Sequence, residues 1–390
     1  MKMFVTGIGV VSAIGLNAEE NLRSLQSGIT GIRQSTEHRL MIGKVNLSNE
    51  QIIQLLSLPN EDFSRTTLLS MLAAKEAWGN NKHHHSIRTG LISSTSIGGL
   101  DRTEKYYFES QNNKAADLYA LMTHDNGRTT ERLAVELGIS GYISTISTAC
   151  SSGANAIMQG ARHMEGNKLD RVIAGGADPL ALFDIKGFSS LNVYDQDICK
   201  PFDNARKGLN LGEGAGFLVL ENDKSISITG NKPLCILSGW DNSTDAFHQT
   251  ASSENGKGAY LAMLHALAKA NITADKINYI NAHGTGTGNN DLSESAAIKN
   301  VFGNNIPPFS STKGYTGHTL AAAGAIEAVY CVQSIQNQSV FPNLNFSTPM
   351  KETGMVPETI YRSGIPVEHV LSNSFGFGGN CTCLIFSKAH

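Results

Sequence analysis

Short apolar runs alternate with longer stretches of helical periodicity along the first part of the chain. Five short runs predict apolar strands: "VTGIGVV", "TGLISST", "YISTIST", "RVIAGGA" and "GFLVLE". Between them, "TLLSMLAAKEAW" at 67–78 and "ANAIMQGARHMEG" at 154–166 have the spacing of helices. Buried strands that alternate with helices predict an α/β fold.

A second series of the same kind starts near residue 230. It contains the strand-like "LCILSGW" and "INYINAHG", a helix at 259–272 and the closing run "VLSNSFGFGGNCTCLIF". Two segments correspond: "ISTISTACSSGANAIMQGARHM" and "FSSTKGYTGHTLAAAGAIEAVY" each predict a strand, a polar turn and a helix of small residues. This predicts an internal duplication, with the two small-residue helices packed closely between two sheets. No linker rich in Pro, Gly or Ser separates the halves, so we expect one structural unit.

Composition narrows the classes of function. Only 17% of the 390 residues are charged and the net charge is −3, without a basic cluster, which argues against nucleic acid as the main partner. No apolar run reaches the length of a membrane span, and glycines interrupt "MKMFVTGIGVVSAIG" too often for a signal peptide. The six cysteines form no CxxC pair, so neither a zinc site nor a disulfide framework is indicated, and we expect a reducing, cytoplasmic setting.

Cys150 stands in "STACSSGANAIMQG", where a helix of small residues begins. A thiol at a helix N-terminus meets the positive end of the helix dipole and free backbone N–H groups. Both favour the thiolate, so the sequence predicts a lowered pKa and a reactive nucleophile. The alternative at this stage is a buried structural cysteine.

Two histidines and a glycine-rich turn stand at similar places in the second half. His283 follows a strand in "NAHGTGTGNND", and His318 precedes the second small-residue helix in "STKGYTGHTLAAAG". Either histidine alone is more often structural, but a cysteine and two histidines at element ends of matching halves favour chemistry. The turn "SNSFGFGG" could bring backbone N–H groups to a ligand and form an oxyanion hole.

Together, these motifs resemble the elongating β-ketoacyl-acyl-carrier-protein synthases, which are condensing enzymes of the thiolase superfamily. The similarity covers almost the whole chain and is carried by "VTGIGVVSAIG", "STACSSG", "PFDNARKGLNLGEGAG", "NAHGTGTGNND", "SSTKGYTGHTLAAAGAIE" and "SNSFGFGG". The resemblance implies a thiolase-like, five-layered α-β-α-β-α fold built from two similar halves. We place the first half, with the nucleophile, at 1–228 and the second, with the histidines, at 229–390.

The resemblance also implies a reaction and a role for each matching residue. The reaction is a decarboxylative Claisen condensation between an acyl group on Cys150 and malonyl-acyl carrier protein, in fatty acid or related polyene or polyketide synthesis. His283 and His318 would hydrogen-bond the malonyl thioester oxygen, and Lys313 would hold their network electrostatically. The other implied roles are backbone oxyanion donors at Cys150 and Phe377, a gate at Phe377, phosphopantetheine contacts at Thr285 and Thr287, and substrate binding at Ile97 and Phe375.

The implied ligands and partners follow from this chemistry. Malonyl loses its own carboxylate, so no cofactor is required, and both substrates arrive on the phosphopantetheine of acyl carrier protein. The expected partners are acyl carrier protein and a second synthase chain, in a homodimer or a heterodimer. Glu327, with Asn281, Ser372 and Asn373, matches positions that can hold a structural cation in the family; the alternative is a hydrogen-bonded structural Glu327.

The chain departs from the family's pattern in two places. It reads "GFGGNCT" where relatives commonly read GFGGTN, and the segment 101–140 is shorter and matches poorly. The acyl substrate therefore stays open. Two other functions also stay open: a non-catalytic partner subunit, which would lack the nucleophile, and an acyl-CoA thiolase, which would need a second cysteine such as Cys381 or Cys383.

Overall fold

A computed structural model describes residues 1–59, 61, 63–112 and 118–389. Within these residues the strands are β1 Phe4–Val11, β2 Ile32–Gln34, β3 Met41–Gly43, β4 Thr89–Ser94, β5 Tyr142–Ile146, β6 Arg171–Asp178, β7 Gly214–Glu221, β8 Cys235–Thr244, β9 Tyr279–Asn281, β10 Phe309–Ser310, β11 Ser339–Val340, β12 Arg362–Ser363, β13 His369–Gly376 and β14 Asn380–Ser387. The α-helices are α1 Ala18–Gln26, α2 Asn49–Leu56, α3 Arg65–Trp78, α4 Leu100–Gln111, α5 Asn126–Leu137, α6 Ser152–Glu165, α7 Leu182–Ser190, α8 Asp223–Thr229, α9 Lys257–Ala270, α10 Gly288–Phe302, α11 Lys313–Thr316 and α12 Ala323–Gln336. Residues 113–117, within the poorly matching segment 101–140, lie outside the described residues.

The main sheet shows the duplication that the sequence predicted. Its strand order is β10-β9-β13-β14-β8-β1-β7-β6-β4-β5, and only the pairs Phe4–Ile236 and Val5–Cys235 join β1 to β8. The first half contributes β1, β4, β5, β6 and β7 to this sheet, and the second half contributes β8, β9, β10, β13 and β14. When the five strands of each half are numbered in chain order, their order across the sheet is 1-5-4-2-3 in both halves. The pairs along this series are antiparallel twice and then parallel twice in both halves. The two halves therefore have the same topology.

Helices and half-sheets alternate in five layers. α3 and α5 cover the outer face of the first half-sheet, α9 packs on β8 and β14, and α10 packs on α9. α6 and α12 contact strands of both half-sheets, so they form the central layer. Buried apolar residues accordingly form three large cores, which contain Leu69 in the first outer layer, Ile157 at the centre and Met263 in the second outer layer. The predicted α-β-α-β-α architecture is confirmed.

The small residues of the central helices are explained by the distance between the two backbones. A Cβ atom on Gly153 of α6 would lie 2.7 Å from the backbone nitrogen of Ala325 and 2.8 Å from the carbonyl oxygen of Ala321. A Cβ atom on Gly324 of α12 would lie 2.9 Å from the nitrogen of Ala154. Real Cβ contacts do not come this close to backbone, so each helix needs glycine where it meets the other.

Two further features concern the chain as a whole. The division at residues 228 and 229 falls at the end of α8, before the loop that leads to β8. Over the described ranges, no helix combines the length and the apolar character that a membrane crossing requires.

The contact between the central helices can be tested by adding one methyl group. We expect Gly153→Ala to lower the free energy of unfolding by about 1–3 kcal/mol, because the methyl group meets fixed backbone rather than a movable side chain. The measurement is the shift of the urea unfolding midpoint, interpreted with an unchanged slope.

Gly187→Ala is the matched control for that substitution. Gly187 also lies inside a helix, but a Cβ atom there has no neighbour within 4 Å. The control should be neutral or stabilising by up to about 1 kcal/mol, because alanine is the better helix former. Equal effects of the two substitutions would contradict the close contact.

Candidate active site

One cavity of about 280 Å³ gathers most of the residues singled out from the sequence. We call it the Cys150 cavity. Cys150 comes from the first half of the chain, and the other singled-out residues of its lining come from the second half: His283, Thr285, Thr287, His318, Phe375 and Phe377. The site therefore forms only where the two halves meet.

The turn that carries Cys150 is strained. Ala149, directly before the cysteine, has a φ of +50°, which a residue with a Cβ atom rarely adopts. The turn is held by the Ser152 hydroxyl, which accepts the Thr148 N–H at 2.8 Å. Ser151 is the N-cap of α6, so Cys150 stands just ahead of the helix, as the sequence predicted.

The expected lowering of the pKa of Cys150 is wrong for this resting site. The side chain is only 6% exposed, and burial raises the pKa of the thiol to about 12. Lys313 and nearby N–H groups pull the pKa downward, but the loss of water around a thiolate outweighs them. The sequence showed the helix N-terminus and could not show how deeply the sulfur is buried. The cysteine therefore rests as a neutral thiol.

Backbone donors face the sulfur from two segments. The backbone N–H groups of Phe377 and of Cys150 itself both act to lower the pKa of the thiol, because they favour its charged form. The loop of Phe377 reaches this position because Gly376 has no side chain: a Cβ atom there would lie 2.8 Å from the carbonyl oxygen of Thr148. Two converging N–H groups are the arrangement that stabilises an oxyanion during acyl transfer.

His283 is fixed by a carboxylate and an ammonium group. Glu294 accepts the backbone N–H of His283 at 2.9 Å and that of Gly284 at 2.8 Å. Lys313 Nζ lies 2.5 Å from the His283 carbonyl oxygen and 3.3 Å from its Nδ1. Because an ammonium group only donates, Nδ1 is the acceptor, and the ring proton of the neutral imidazole lies on Nε2.

His318 stands in a second strained turn. Leu320 has a φ of +51°, close to that of Ala149 in the first half. The backbone N–H of His318 donates to the Asn210 carbonyl at 2.7 Å, and its Nδ1 is buried without a hydrogen-bond partner among the described residues. The two imidazole rings meet edge to face, with centroids 5.3 Å apart. An unpartnered nitrogen in a buried site is available to a bound molecule.

Both imidazoles are neutral at physiological pH. Burial lowers the pKa of His283 well below 6.5, and the charge of Lys313 and the neighbouring His318 lower it further. Burial and Lys313 likewise lower the pKa of His318 well below 6.5. A neutral imidazole can donate one hydrogen bond and accept another, so the pair suits a site where a negative charge develops on oxygen.

Lys313 is buried behind the imidazoles and paired with a carboxylate. Its side chain is 2% exposed and lies 2.5 Å from Glu327 Oε1. Burial raises the pKa of Glu327 to about 7, although Lys313 opposes that rise. The other oxygen, Glu327 Oε2, is buried and unpartnered within the described part of the chain.

The four residues matched to a cation site share such unpartnered atoms. Buried polar atoms without a hydrogen-bond partner in the described ranges occur on Asn281 (both amide atoms), Glu327 (Oε2), Ser372 (Oγ) and Asn373 (Oδ1). One carboxylate and several neutral oxygens are a donor set that suits a hard cation. No cluster of three or more His, Cys, Asp or Glu residues with metal-binding geometry occurs among the described residues.

Of the remaining residues predicted to contact substrate, four line the Cys150 cavity and one does not. The Thr285 and Thr287 hydroxyls lie 2.9 Å apart on the cavity wall. Phe375 packs against the His283 ring, and Phe377 stacks on Phe188 with centroids 5.7 Å apart. Ile97 does not belong to the described lining of the Cys150 cavity; it lies in the turn between β4 and α4.

Sequence reasoning missed the residues that hold the site from behind. Glu294 fixes His283 from the next helix, and Asp291 accepts the Gly286 N–H at 3.1 Å. Both lie in "NNDLSES", where acidic residues are typical of an ordinary helix start. Phe188, the stacking partner of Phe377, has no local signal, because α7 is distant in sequence from the glycine loop.

The protonation state of Cys150 can be tested by alkylation. The rate of iodoacetamide modification should rise about tenfold per pH unit from about pH 7 to about pH 10.5 without a plateau, because the thiol stays mostly protonated. The measurement is the modified fraction of the Cys150 peptide by mass spectrometry. N-acetylcysteine, a free thiol, is the control and should level off near its ordinary pKa. A plateau near pH 7 in the protein would show a stabilised thiolate instead.

Comparisons with known proteins agree with this geometry. Residues 2–225 match the family model "Beta-ketoacyl synthase, N-terminal domain", and residues 234–347 match "Beta-ketoacyl synthase, C-terminal domain". The chain is 32% identical to the 3-oxoacyl-[acyl-carrier-protein] synthase 2 of Vibrio harveyi, over 99% of this chain and 98% of that protein.

Two solved structures have the same fold over all of this chain. One is the ishigamide ketosynthase/chain length factor, with a TM-score of 0.92, 28% identity and 99% of its chain covered. The other is a type II ketosynthase in complex with its acyl-carrier protein and bound to a hexaketide, with a TM-score of 0.90, 26% identity and 99% covered. With its thiol, imidazoles and backbone donors in one buried cavity, this chain belongs to the β-ketoacyl synthase family.

Proposed function

We propose that this chain catalyses decarboxylative condensation of an acyl group held on Cys150 with malonyl-acyl carrier protein. The observation that carries the proposal is the meeting of Cys150, two neutral imidazoles and two backbone N–H donors in one buried cavity. The product is a β-ketoacyl chain on the carrier protein. The names of the related proteins support both the reaction and the carrier-bound substrates.

The first half-reaction loads the enzyme. Cys150 Sγ attacks the thioester carbonyl of the acyl carrier, and the backbone N–H groups of Cys150 and Phe377 hold the oxyanion. The carbon–sulfur bond to the carrier breaks, and the carrier leaves as its thiol with the proton that Cys150 gives up. A thiol with a raised pKa acts here as proton source as well as nucleophile.

The second half-reaction makes the carbon–carbon bond. The malonyl carboxylate leaves as CO₂, and its bonding electrons form an enolate on the thioester. His283 and His318 hydrogen-bond the enolate oxygen, where neutral donors in a water-poor cavity are most effective. The enolate carbon attacks the acyl carbonyl on Cys150, the carbon–sulfur bond breaks, and the thiolate that leaves takes up one proton from solvent.

Lys313 supports both half-reactions without touching the reacting atoms. Its buried ammonium keeps the field positive, which holds the imidazoles neutral and favours both negative charges that form. A cation held by Asn281, Glu327, Ser372 and Asn373 would satisfy their unpartnered atoms, including Glu327 Oε2, which Lys313 does not contact. Its contribution there is structural and electrostatic.

The approach of the substrates follows from the cavity walls. The phosphopantetheine arm of acyl carrier protein passes Thr285 and Thr287, and Phe377 moves to admit the malonyl group after Cys150 is acylated. Ile97 marks the far end of the acyl pocket once an acyl chain opens it beyond the resting cavity. A solved relative is a complex of a ketosynthase with its carrier protein, which supports this partner.

A second synthase chain pairs with this one along the edge strand β5. Tyr142 and Ile143 of β5 are 39% and 42% exposed, and β5 ends the main sheet. An uncovered apolar edge strand needs a partner strand. The partner is a second copy or a related subunit; the ishigamide ketosynthase/chain length factor, a solved relative, supports the second possibility.

The division into a nucleophile half at 1–228 and a histidine half at 229–390 is part of the same proposal. The repeated strand order on either side of α8 supports it. All six cysteines are free and buried, which supports a reducing, cytoplasmic location.

Neither alternative function gains support from a specific contact. A non-catalytic subunit lacks the nucleophile, whereas Cys150 and its donors are in place. A thiolase needs a second cysteine beside the first, and neither Cys381 nor Cys383 belongs to the described lining of the Cys150 cavity.

Acyl transfer tests the nucleophile. Incubation with acyl-acyl carrier protein should add one acyl mass to the chain, and Cys150→Ala should abolish that increment because it removes the thiol that the backbone donors face. Intact-mass spectrometry measures it. Cys381→Ala is the matched control, because it also removes a buried free thiol, in β14 outside the described cavity lining, and this variant should still be acylated. Acylation of Cys150→Ala would contradict the assignment.

Decarboxylation tests the imidazoles separately from the thiol. His318→Ala should slow CO₂ release from malonyl-acyl carrier protein by about 10²–10³, the usual cost of one lost donor to a developing oxyanion. Single-turnover acylation of Cys150 should fall far less, because its oxyanion is held by backbone N–H groups. His265→Ala, whose ring lies on the surface with a 54% exposed side chain, is the control. Equal losses in both half-reactions would contradict the proposed division of roles.

A further inference from the structure

Asn380 connects the glycine loop to the helix that starts after Cys150. It is the first residue of β14 and directly follows the loop 376–379, at the place where the sequence departs from the family's pattern. Its side chain does not point along the strand ladder; it reaches across to α6. A residue at which this chain differs from the common pattern therefore touches both functional segments.

Three short hydrogen bonds converge on one oxygen of this side chain. Asn380 Oδ1 accepts the Ser151 hydroxyl at 2.6 Å, the Asn155 amide at 2.8 Å and the Asn242 amide at 2.8 Å, and the Thr382 hydroxyl lies at the longer distance of 3.5 Å. The Asn380 amide nitrogen in turn lies 3.4 Å from Asn242 Oδ1. Loss of this acceptor would remove three hydrogen bonds from one partly buried cluster, although each donor also has a second acceptor there, such as the Thr148 carbonyl for Ser151 at 2.7 Å.

Two of these donors belong to the turn that presents Cys150. Ser151 is its next neighbour and the N-cap of α6, yet its hydroxyl does not cap the helix in the usual way. Asn155, one turn further on, also donates to the Thr148 hydroxyl at 2.8 Å. Asn380 therefore holds the helix start that follows the cysteine, and Asn155 links that start to Thr148 before the cysteine.

The other end of the loop is held against the same turn. Gly376 lies so close that a Cβ atom there would be 3.2 Å from the Cys150 backbone nitrogen. The loop between Gly376 and Asn380 contains Gly378 and Gly379, with φ of +84° and +80°. Fixed ends with flexible residues between them allow Phe377 to move without moving the nucleophile.

We propose that Asn380 is a positioning residue that holds the C-terminal end of the Phe377 loop against the Cys150 turn. This contact restores the distance between the backbone N–H groups of Cys150 and Phe377 each time the loop has moved. The inference rests on the proposed function, because it assigns Asn380 a part in that reaction. Asn380 does not touch the reacting atoms and acts through Ser151 and the loop backbone. The partners Asn155 and Asn242 are themselves joined at 3.2 Å, which makes the anchor a closed network.

Removal of the acceptor oxygen tests this role. Asn380→Ala should lower kcat for condensation by about 10- to 100-fold, since small misplacements of catalytic groups have effects of this size, with KM for the carrier substrate changed less than about threefold. Asn380→Asp keeps an acceptor oxygen in the same place and should stay within about fivefold of the parent kcat. Ser151→Ala removes one of the three donors and should cost about threefold, which keeps the test informative if Asn380→Ala does not fold.

Asn278→Ala is the matched control. Asn278 Oδ1 also accepts two backbone N–H groups, from Glu368 and His369, each at 2.9 Å, but at the opposite end of β13. It should reduce thermal stability and leave kcat unchanged. A kcat for Asn380→Ala equal to that of Asn278→Ala, or an Asn380→Asp variant as slow as Asn380→Ala, would overturn the inference.

One readout separates this inference from the proposed function. The rate constant for iodoacetamide alkylation of Cys150 needs no condensation, and it should fall about 3- to 10-fold in Asn380→Ala because the N–H donors no longer converge on the sulfur. An unchanged alkylation rate overturns the positioning role even if condensation is measured. A parent chain that is never acylated overturns the proposed function while the alkylation result still decides the role of Asn380.

Discussion

The backbone contact between α6 and α12 is the constraint on which the site depends. Gly153 lies three residues after Cys150, and Gly324 lies six residues after His318, so the closest approach of the two helices is directly beside the cavity. A side chain at either glycine would push the helix starts apart. The thiol belongs to one half and the imidazoles to the other, and a wider spacing would separate the groups that the proposed reaction needs together. Close packing here is therefore a catalytic requirement as well as a source of stability.

Strained backbone and buried ionisable side chains occur together around this cavity, and the surrounding structure must stabilise them. Two non-glycine residues, Ala149 and Leu320, have positive φ values in corresponding turns; Ala149 directly precedes Cys150, and Leu320 follows His318 by two residues. A lysine is buried beside a carboxylate, and two imidazoles are held neutral by burial and by that lysine. Such features persist only where packing determines them fully. Their clustering at one cavity, opposite a fully packed central core, indicates that the stability of the layers supports the strain of the site.

The layers could be predicted from the sequence because they depend on local periodicity and composition. Apolar runs and helical spacing indicated strands such as β6 and helices such as α3, and the paired small-residue segments indicated two central helices. The pKa of Cys150 could not be predicted, because the sequence shows the helix start but not the depth of burial that outweighs it. Glu294 was missed for a related reason: it acts on His283 across a loop and has no periodic relation to it. The position of Ile97 outside the resting cavity depends on how the turn after β4 packs, which no local pattern reports.

The duplication explains why one cavity can support two negative charges in succession. Because both halves have the same topology, α6 and α12 occupy corresponding places, and their first turns meet beside the cavity. Burial in this cavity favours the neutral forms of its side chains, so His283 and His318 are imidazoles rather than imidazoliums and Cys150 is a thiol rather than a thiolate. In the proposed mechanism, Lys313 stabilises the charge that appears on the substrate oxygen or on the departing sulfur. A preorganised positive field around neutral side chains lowers the energy of negatively charged transition states and leaves the neutral resting state unchanged. The reaction rate depends on this difference in energy between transition state and resting state.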